Sequence, residues 1–452
     1  MDGKKFLVFG AGISGVAACG LLLEQHMDVI LYDGNPNMDV KAFRKTHPQL
    51  GEIPVFTGEL PQEATHVDIA VLSPGVPLDL PEVETLKKLG VLIWGEIELA
   101  YVFGKGRILA VTGTNGKTTT TALLGEIMKQ AYQDVRVVGN IGIPYTGIVR
   151  DTSEDTVIVA ELSSFQLETV HCFCPEVSAI LNITPDHLNR HHTMDNYINA
   201  KKAITSRQSP SQTCVLNYED ETLREFGAGL SVNVVYFSSS RPLERGIYLD
   251  GEEILYADGR KKQLLCRTEE LNIFGVHNYE NVMAAAAMAI SFGVSIEQIH
   301  AALIHFEAVE HRIEYVTQKR GVRFYNDSKG TNPDAAIQAV KAMKWPTLLI
   351  GGGYDKGSSY ENWIQAFGGK VKKLALLGAT REKIAETARM CGFPNEDILF
   401  AESLEEAVQV CYENAKEGDA VLLSPACASW GMFRNYEERG NLFKEIVRDL
   451  KE

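Results

Sequence analysis

Positive charge is scarce in this chain. The 452 residues include 44 lysines and arginines against 59 aspartates and glutamates, which leaves a formal net charge of −15. Nucleic-acid backbones and anionic membrane surfaces attract basic proteins, so this balance argues against both as partners. We therefore expect no nucleic acid among the partners, and an anionic substrate would need local basic groups.

Cysteines are few and scattered. None of the eight belongs to a CxxC pair. The sequence therefore predicts neither a disulfide framework nor a zinc ribbon, which fits a reducing cytoplasm. The segment His171-Cys172-Phe173-Cys174 is followed by no second ligand pair of suitable spacing, so we do not expect it to hold a metal.

The N-terminus only superficially resembles a secretory signal. The uncharged stretch from Phe6 to Leu23 contains four glycines and would make a poor spanning helix. It is better explained as a strand at Lys5 to Phe9, a GAGISG turn and a helix to about His26. A second strand follows at Val29 to Tyr32. We expect a cytoplasmic protein without membrane insertion.

The GAGISG turn completes a GxGxxG pattern in a β-turn-α-β unit. Asp33 stands eighteen positions after the last glycine, Gly15. This spacing predicts a nucleotide-binding Rossmann-like unit without specifying the nucleotide. An NAD-dependent oxidoreductase is one alternative, but the pattern ends near residue 95, before a second mononucleotide half. A glycine turn that serves only helix–strand packing is the other alternative.

A second glycine-punctuated turn is more informative. GTNGKTTT at 113–120 follows an apolar strand, Arg107 to Thr112, and opens a helix over Thr118 to Ala131. Backbone N–H groups there would point at the β- and γ-phosphates, with Lys117 as a point charge and the Thr118 hydroxyl on Mg²⁺. A chance Gly-Lys-Thr in a surface turn is the alternative. The pattern predicts an ATP user.

Two further candidates follow the next apolar strands. Thr156 to Ala160 delivers Glu161 at its end, as expected of a Mg²⁺-binding carboxylate, although a buried or capping glutamate would also fit. The run Val177 to Ile183 leads to His187 just beyond Pro185. His187 could bind a metal or a substrate carboxylate, or be an ordinary loop histidine.

A third candidate lies on a predicted helix, Met194 to Gln208. At 100° per residue, Lys201 falls beside Tyr197 and Ile204, whereas Lys202 turns away from them. We therefore expect Lys201 to face the protein and Lys202 to face solvent.

The remaining pattern completes an α/β protein. A β-rich patch lies between about 213 and 275, and from 309 strands alternate with helices. Strands are predicted at Thr347 to Ile350, Lys373 to Leu377 and Ala420 to Ser424, and Asn332-Pro333-Asp334 reads as the start of a helix to about Lys344. We predict an α/β fold with three domains: a Rossmann-like domain (1–95), a central P-loop ATPase-type α/β domain with a small β-rich patch (96–308) and a C-terminal Rossmann-like α/β domain (309–452).

Several segments together resemble the Mur ligases of bacterial cell-wall synthesis. They are GTNGKTTT, GNIG at 139–142, AELSSFQLE, NITPDHLNRH, YINAKKAI, FGVHNYENV, EHRIE, NDSKGTNPDAA and LLSPACASWGMFRNYEERGNLF. The last block is typical of the members that add D-glutamate rather than L-Ala, a diamino acid or D-Ala-D-Ala. It departs at Gly431, where the family commonly has Asp. Folylpolyglutamate synthase shares the P-loop domain, but the GxGxxG opening resembles the Mur branch.

The resemblance implies a reaction. ATP would phosphorylate the terminal L-alanyl carboxylate of UDP-N-acetylmuramoyl-L-alanine, and the amine of D-glutamate would attack the acyl phosphate. The tetrahedral intermediate would collapse to an amide, ADP and phosphate, in cytoplasmic peptidoglycan precursor synthesis and hence cell-wall biogenesis, cell shape and cell division. Two Mg²⁺ ions would offset the repulsion between triphosphate and carboxylate. We expect the protein to act as a monomer.

The resemblance also implies residue roles. Thr118 and Glu161 match the ligands of one Mg²⁺, and His187 with a carbamylated Lys201 matches those of the other. CO₂ adds only to a neutral amine, and we expect partial burial beside Lys202 to lower the pKa of Lys201. The catalytic set is then Lys117, Glu161, His187, Lys201 and Arg312. Contacts to ATP are implied for Gly113, Thr114, Asn115, Gly116, Lys117, Thr118, Thr119, Asn140, Asn278, Asn281, His311, Arg312 and Asp327.

The two other substrates have implied contacts as well. The uridine diphosphate substrate would lie on Gly12, Ile13, Ser14, Asp33, Ser73 and Asn140. D-Glutamate would meet Lys329, Thr331, Lys356, Ser429 and Tyr436, the last standing where Phe is common. Arg312 is expected to reach the phosphates on domain closure. A non-catalytic nucleotide-binding regulator is a further alternative, but it would have lost the chemical groups that this chain retains.

Overall fold

The computed structural model describes residues 1, 3–140, 142–307 and 309–451. The chain forms two compact units. The first comprises Met1–Thr268 with Glu280–Ile304, and the second comprises Glu269–Tyr279 with His305–Glu452. No helix in the described ranges combines the length and the apolar character needed to cross a membrane.

The first sheet of the first unit is parallel. Its strands are β1 (Lys5–Phe9), β2 (Asp28–Asp33), β3 (Val55–Thr57), β4 (Ile69–Leu72) and β5 (Leu92–Gly95), in the order β3-β2-β1-β4-β5. The connecting helices are α1 (Ile13–Glu24), α2 (Val40–Thr46), α3 (Pro81–Lys88) and α4 (Glu96–Phe103). Strands β1 and β4 are almost wholly buried, which explains their unbroken apolar runs.

The strand order reverses between β1 and β4. The chain adds β2 and β3 on one side of β1, and β4 and β5 on the other. The GxGxxG turn after β1 and the Ser73 turn after β4 therefore open on a crevice at the carboxyl ends of the strands. A Cβ at Gly15 would clash with the Gly10 carbonyl oxygen. Only glycine therefore allows this turn and helix to pack so closely.

The second sheet of the first unit is larger and mixed. Its strands are β6 (Arg107–Thr112), β7 (Val135–Gly139), β8 (Val157–Glu161), β9 (Val177–Ile180), β10 (Thr213–Asn217), β11 (Asn233–Ser238), β12 (Arg245–Asp250), β13 (Glu253–Asp258) and β14 (Lys262–Arg267). They run in the order β14-β13-β12-β11-β10-β9-β6-β8-β7, with β12, β13 and β14 pairing antiparallel. Strands β10 to β14 form the β-rich patch predicted between about 213 and 275, and its last three strands are an antiparallel meander.

The helices around the second sheet are α5 (Lys117–Lys129), α6 (Ser164–Leu167), α7 (Leu188–His191), α8 (Met194–Lys202), α9 (Glu221–Ala228), α10 (Val276–Phe292) and α11 (Ile296–His305). The β6–α5 junction carries the GTNGKTTT loop. Strands β8 and β9 flank β6 in the sheet, so the residues that follow these strands reach the same edge as the loop. The topology therefore assembles a site from three separate parts of the sequence.

The second unit contains a third sheet. Its strands are β15 (Glu314–Lys319), β16 (Val322–Asn326), β17 (Thr347–Gly351), β18 (Val371–Leu376), β19 (Ile398–Phe400) and β20 (Ala420–Leu423), in the order β15-β16-β20-β17-β18-β19. Its helices are α12 (Pro333–Ala342), α13 (Glu361–Gln365), α14 (Arg381–Met390), α15 (Leu404–Asn414) and α16 (Tyr436–Asp449). Only β15 pairs antiparallel. Apolar clusters on both faces cover the sheet.

These observations confirm the α/β fold class, and they correct two predicted elements. The strand predicted to reach Ile183 ends at Ile180, because the following residues bond to the GTNGKTTT loop instead. The helix predicted to reach Gln208 ends at Lys202 and tightens into a 3₁₀ turn. The Gln208 side chain is used to tie the chain to the carbonyls of Pro175 and Thr213. The predicted cap is confirmed, since Asn332 accepts a hydrogen bond from Ala335 N–H.

Candidate functional site

The GTNGKTTT loop owes its conformation to two glycines. Gly113 (φ 152°) and Gly116 (φ 84°) adopt backbone angles that other residues rarely take. A Cβ at Gly116 would clash with the Asn281 Oδ1 atom. The same amide oxygen accepts a hydrogen bond from the Thr120 hydroxyl at 3.3 Å. The structure thus brings Asn281 of α10, predicted from the sequence as an ATP contact, directly against the loop.

Residues beyond β9 hold the other side of the loop. Asn115 N–H donates to the Asn182 side chain at 2.8 Å, and the Asn182 amide donates back to the Asn115 carbonyl at 3.1 Å. The Thr114 hydroxyl lies 2.9 Å from the Tyr197 hydroxyl and accepts from Thr184 N–H. Asn182, Thr184 and Tyr197 were not assigned roles from the sequence, because only the sheet order brings them to the loop.

Two lysines converge on one carbonyl oxygen of the loop. Lys117 Nζ donates to Gly113 O at 2.9 Å, and Lys201 Nζ donates to the same oxygen at 2.7 Å. Lys117 also reaches Thr114 O at 2.9 Å. Lys201 is 1% exposed, which confirms that it faces the protein. Burial first, and the neighbouring Lys117 ammonium second, hold the pKa of Lys201 well below that of an ordinary lysine.

The expectation for Lys202 was wrong in two respects. Its side chain is only partly exposed, and its ammonium lies 4.8 Å from the centre of the Phe226 ring. The cation that lowers the pKa of Lys201 is Lys117, which lies far along the sequence, and not the adjacent Lys202. Successive residues on a helix diverge by 100°, so adjacency in sequence did not mean adjacency in space.

The carboxylate predicted at the end of β8 is present and buried. Glu161 Oε1 accepts from the Asn140 side chain at 2.8 Å, whereas Oε2 is buried and has no hydrogen-bond partner among the described residues. A buried carboxylate oxygen without a protein partner is the kind of ligand that a hard cation prefers. Thr118, in the first turn of α5, is buried as well. Both residues therefore fit a Mg²⁺ site that phosphate oxygens would complete.

The second predicted metal ligand lies on a different loop. His187 precedes α7 in a left-handed conformation (φ 54°), with its side chain 43% exposed and its Nε2 3.6 Å from Asp186 Oδ2. Asp186 also interacts electrostatically with Lys201. Within the described residues, no three His, Cys, Asp or Glu side chains form a metal cluster.

A buried cluster behind His187 was missed from the sequence. His191 contacts Glu168 (3.2 Å) and Ser164 (2.9 Å) and stacks on Phe165, and the Arg190 guanidinium lies 4.0 Å from the centre of the same ring. Burial lowers the pKa of His191 to about 4, so the ring is uncharged at neutral pH and its contact with Glu168 is not an ion pair. Both residues stand in the quoted NITPDHLNRH and AELSSFQLE segments, but nothing local showed which side chains are buried.

The GxGxxG turn presents the residues predicted for uridine diphosphate. Gly12 caps α1, Ile13 is 81% exposed, and Ser14 is partly exposed. Asp33 is held by Ala11 N–H at 2.8 Å, and the buried Ser73 hydroxyl has no partner among the described residues. Ser73 lies against this turn, since a Cβ at Gly10 would come within 2.8 Å of its Oγ. These residues therefore form one surface around the crevice.

In the second unit, most of the residues predicted to contact the nucleotide have buried side chains. The His311 side chain is buried, and its Nδ1 lies 2.9 Å from the Asn326 amide. Asp327 accepts from the Ser424 hydroxyl at 2.7 Å, and the Arg312 Nε is buried without a hydrogen-bond partner among the described residues. Asn278 donates to the Phe274 carbonyl at 2.9 Å. His311 is thus held by protein contacts, which suits a supporting role better than direct ligand binding.

Asp327 supplies a test based on pH. Burial raises its pKa from 3.8 to about 7, so the folded chain retains a proton that the unfolded chain has lost between these values. Stability contributed by this proton is present at low pH and is lost as pH rises toward 7. We expect the stability of Asp327→Asn against urea unfolding to rise relative to that of the unmodified protein from about pH 4 to about pH 7, and the difference to level off above pH 7. Parallel stability curves for the two proteins would contradict the raised pKa.

The predicted D-glutamate residues form two groups in the second unit. Lys329 lies 5.1 Å from the centre of the Tyr436 ring, and exposed Lys356 lies 5.6 Å from that of Trp430, next to buried Ser429. Thr331 precedes the α12 cap and is partly exposed. Gly431 has φ 87°, a left-handed backbone angle that glycine adopts more readily than Asp, although a Cβ at this position would meet no atom within 4 Å among the described residues.

Arg439 was missed by the sequence reasoning. It is 2% exposed, and it donates to the Ser328 carbonyl at 2.7 Å, the Ser328 hydroxyl at 2.9 Å and the Cys427 carbonyl at 3.3 Å. Burial lowers its pKa to about 10. Its guanidinium ties together the loops that carry Lys329 and Ser429. The signal was present in the RGNLF segment, but an arginine in a helix is exposed more often than not.

Three family models match successive parts of the chain. A Mur ligase MurD-like N-terminal domain matches residues 4–95, a Mur ligase middle domain matches 111–289, and a Mur ligase glutamate ligase domain matches 311–427. The predicted domain boundaries remain predictions, but the order of the three parts agrees with the fold.

Curated relatives match the whole chain. A UDP-N-acetylmuramoylalanine–D-glutamate ligase of Lachnoclostridium phytofermentans is 56% identical over 451 residues, covering 100% of this chain and 99% of the relative. One from Lachnospira eligens is 52% identical over 453 residues, covering 100% of both chains.

Solved structures share the fold at low identity. UDP-N-acetylmuramate–alanine ligase MurC of Thermotoga maritima is 20% identical with a TM-score of 0.60, covering 99% of this chain and 100% of that one. The MurF ligase of the same organism, solved with ADP, is 16% identical with a TM-score of 0.59, covering 94% and 91%. Because relatives more than half identical match it from end to end, the chain belongs to the Mur ligase family.

Proposed function

We propose that this protein is the ATP-dependent ligase that joins D-glutamate to UDP-N-acetylmuramoyl-L-alanine in cytoplasmic peptidoglycan precursor synthesis, acting as a monomer. The observation that carries the proposal is the meeting of Lys117 and Lys201 on the Gly113 carbonyl, in a site that also holds the buried Glu161 carboxylate, whose Oε2 has no partner in the described part of the chain. A loop that served packing alone would not need two lysine amines at one carbonyl. The names of the relatives supply the choice of substrates.

The first chemical step is phosphoryl transfer. The terminal L-alanyl carboxylate oxygen attacks the γ-phosphorus of ATP, which forms an acyl phosphate and releases ADP. Lys117 stands at the start of α5, where helix N–H groups and its own charge would hold the γ-phosphoryl group. On binding, the Lys117 ammonium would exchange its contacts with Gly113 and Thr114 for phosphate oxygens.

The second step forms the amide. The neutral amine of D-glutamate attacks the acyl carbon, the tetrahedral intermediate expels phosphate, and the ammonium proton leaves to water. Lys329 and Lys356 carry the positive charge that would pair with the two carboxylates of D-glutamate, while Thr331, Ser429 and Tyr436 would add polar contacts. Arg312 is proposed to stabilise the phosphates during transfer.

Metal ions and a carbamate complete the proposal. Thr118 and Glu161 would hold one Mg²⁺, and His187 with carbamylated Lys201 would hold a second; when bound, these ions would offset the negative charge that gathers between carboxylate and triphosphate. Lys201 is suited to carbamylation because its buried amine, beside the Lys117 cation, has a lowered pKa and reacts with CO₂ as the neutral form. The carbamate would place a negative charge at the end of the Lys201 side chain.

Substrate choice is the direct test. With UDP-N-acetylmuramoyl-L-alanine and ATP, we expect D-glutamate to support fast phosphate release, with L-glutamate and L-alanine near background. The measurement is a coupled phosphate assay with one amino acid at a time. Faster release with UDP-N-acetylmuramate and L-alanine would assign the protein to a sister ligase instead.

A further inference from the structure

The side chain of Arg190 connects the two sheets of the first unit. Arg190 lies in α7, and its Nη1 and Nη2 donate to the carbonyls of Pro74 (2.8 Å) and Val76 (3.0 Å), in the turn that follows β4. Its guanidinium stacks on Phe165 at 4.0 Å and lies 3.5 Å from Glu168. The side chain is 15% exposed. Burying a guanidinium costs desolvation free energy, and the contacts with the two carbonyls, Phe165 and Glu168 offset that cost.

The backbone of Arg190 is bonded to the residue that would approach the reacting carboxylate. Arg190 N–H donates to the His187 carbonyl at 3.0 Å, and His191 N–H donates to the same oxygen at 3.0 Å. These two hydrogen bonds tie the His187 carbonyl to the turn that carries the Arg190 side chain. The position of the Arg190 guanidinium therefore constrains the position of His187.

The other end of the contact leads to the GxGxxG turn. Val76 N–H donates to the Ser73 carbonyl at 2.9 Å, and Ser73 N–H donates to the Phe9 carbonyl at 3.0 Å. Ser73 in turn packs against Gly10 and Gly15. One continuous series of contacts thus runs from His187, through Arg190 and the turn 73–76, to the glycines of the candidate uridine diphosphate site.

We propose that Arg190 is a positioning residue that sets the spacing between His187 and the turn 73–76, and so matches the protein to a substrate with a nucleoside diphosphate at one end and a reacting carboxylate at the other. The inference rests on the proposed function, because that substrate has these two ends. Arg190 is not proposed as a catalytic residue, since its guanidinium contacts backbone carbonyls of the protein rather than the reacting atoms.

Other contacts join the same parts of the first unit, so removing Arg190 leaves the fold held. Glu98 of α4 is fully buried and accepts hydrogen bonds from the N–H groups of His171, Cys172 and Phe173. His192 and Asp79 form a parallel contact at 3.2 Å, but their side chains are 63% and 67% exposed. Exposed pairs of this kind contribute little, which makes His192 a matched control on the same helical turn.

The test combines protein variants with a shortened substrate. Activity is measured with UDP-N-acetylmuramoyl-L-alanine and with the same compound lacking its uridine monophosphate part, 1-phospho-N-acetylmuramoyl-L-alanine. The shortened substrate is anchored at one end only, so its use should not depend on the spacing. The proteins compared are the unmodified enzyme, Arg190→Ala, Arg190→Lys and His192→Ala, each checked for folding by circular dichroism and thermal melting.

For each protein we divide kcat/KM for the full substrate by kcat/KM for the shortened substrate. We expect this ratio to fall at least about tenfold in Arg190→Ala, because charge-assisted hydrogen bonds to the turn 73–76 are lost. The change should appear in KM for the full substrate, with KM for ATP and D-glutamate within a few-fold. The ratio for Arg190→Lys should lie between those of the unmodified enzyme and Arg190→Ala, since an ammonium lacks the planar guanidinium group that donates to both carbonyls. His192→Ala should match the unmodified enzyme.

Equal losses with the full and the shortened substrate would overturn this inference, because a purely structural arginine affects both alike. If Arg190→Ala melts at the assay temperature, Arg190→Lys carries the same comparison, and an unchanged ratio there would overturn the inference too. Failure of the unmodified enzyme to form ADP with the full substrate and D-glutamate would overturn the proposed function as well.

Discussion

Replacing Lys201 with alanine is expected to lower turnover by on the order of 10²-fold or more, the usual cost of removing a preorganised charged group from an active site. The side chain is buried, its amine is 2.7 Å from the Gly113 carbonyl, and its pKa is lowered by burial and by Lys117. A neutral amine in that position can take up CO₂, so the variant would remove the carbamate proposed above. Turnover is measured by ADP formation with saturating substrates.

A small carboxylic acid should show whether Lys201→Ala loses activity because a carboxylate is missing or because the protein is misfolded. Acetate or propionate can diffuse into the gap left by the lysine stem and supply a carboxylate there, so we expect millimolar concentrations to restore part of the activity. Removal of dissolved CO₂ should lower the activity of the unmodified enzyme, and mass spectrometry should detect one added CO₂ on Lys201. A variant that stays inactive with the acids, although folded, would argue against a carbamate.

Lys202 is the matched control for this experiment. It is the next residue on the same helix, and its ammonium lies over the Phe226 ring at 4.8 Å, away from the GTNGKTTT loop. Lys202→Ala should keep turnover within a few-fold, because partly exposed substitutions away from a site usually cost little. Equal losses in the two variants would refute the separate role of Lys201.

The second large effect is expected at Lys117. Lys117→Ala should lose roughly 10²- to 10³-fold in kcat, with a smaller change in the KM for ATP, because its charge counts most when the γ-phosphoryl group is transferred. The residue stands at the first position of α5, and its amine already points into the loop. Steady-state kinetics with ATP varied separates the two constants.

Lys129 offers a control on the same helix. It lies in the last turn of α5 and pairs with Glu126 at 2.7 Å, with both side chains 51% exposed. Lys129→Ala removes a lysine of the same helix without touching the loop, so we expect near-normal kinetics. Near-normal activity of Lys117→Ala, with the circular dichroism spectrum unchanged, would contradict the assignment of the loop to the triphosphate.

Much of the site could be predicted from the sequence, because its elements are local. The turn is marked by its own glycines, Gly113 and Gly116, and the inward direction of Lys201 follows from the spacing of its own helix. Glu161 ends its strand as expected. In each case the deciding interactions lie within about one helical turn or one strand, so a periodic pattern carries them.

What the tertiary structure decided is which distant groups meet. The sequence could not show that Lys201 shares the Gly113 carbonyl with Lys117, or that Arg190 reaches the Pro74 carbonyl, because these contacts span 88 and 116 positions. Parallel strands bring their carboxyl ends to one edge of the sheet, however far apart they are in sequence. The order of the strands then decides which residues at that edge become neighbours. The sequence by itself therefore determined the family, the glycine turns and the inward direction of Lys201. The partners, the burial and the shifted pKa values were determined only when the sheets assembled.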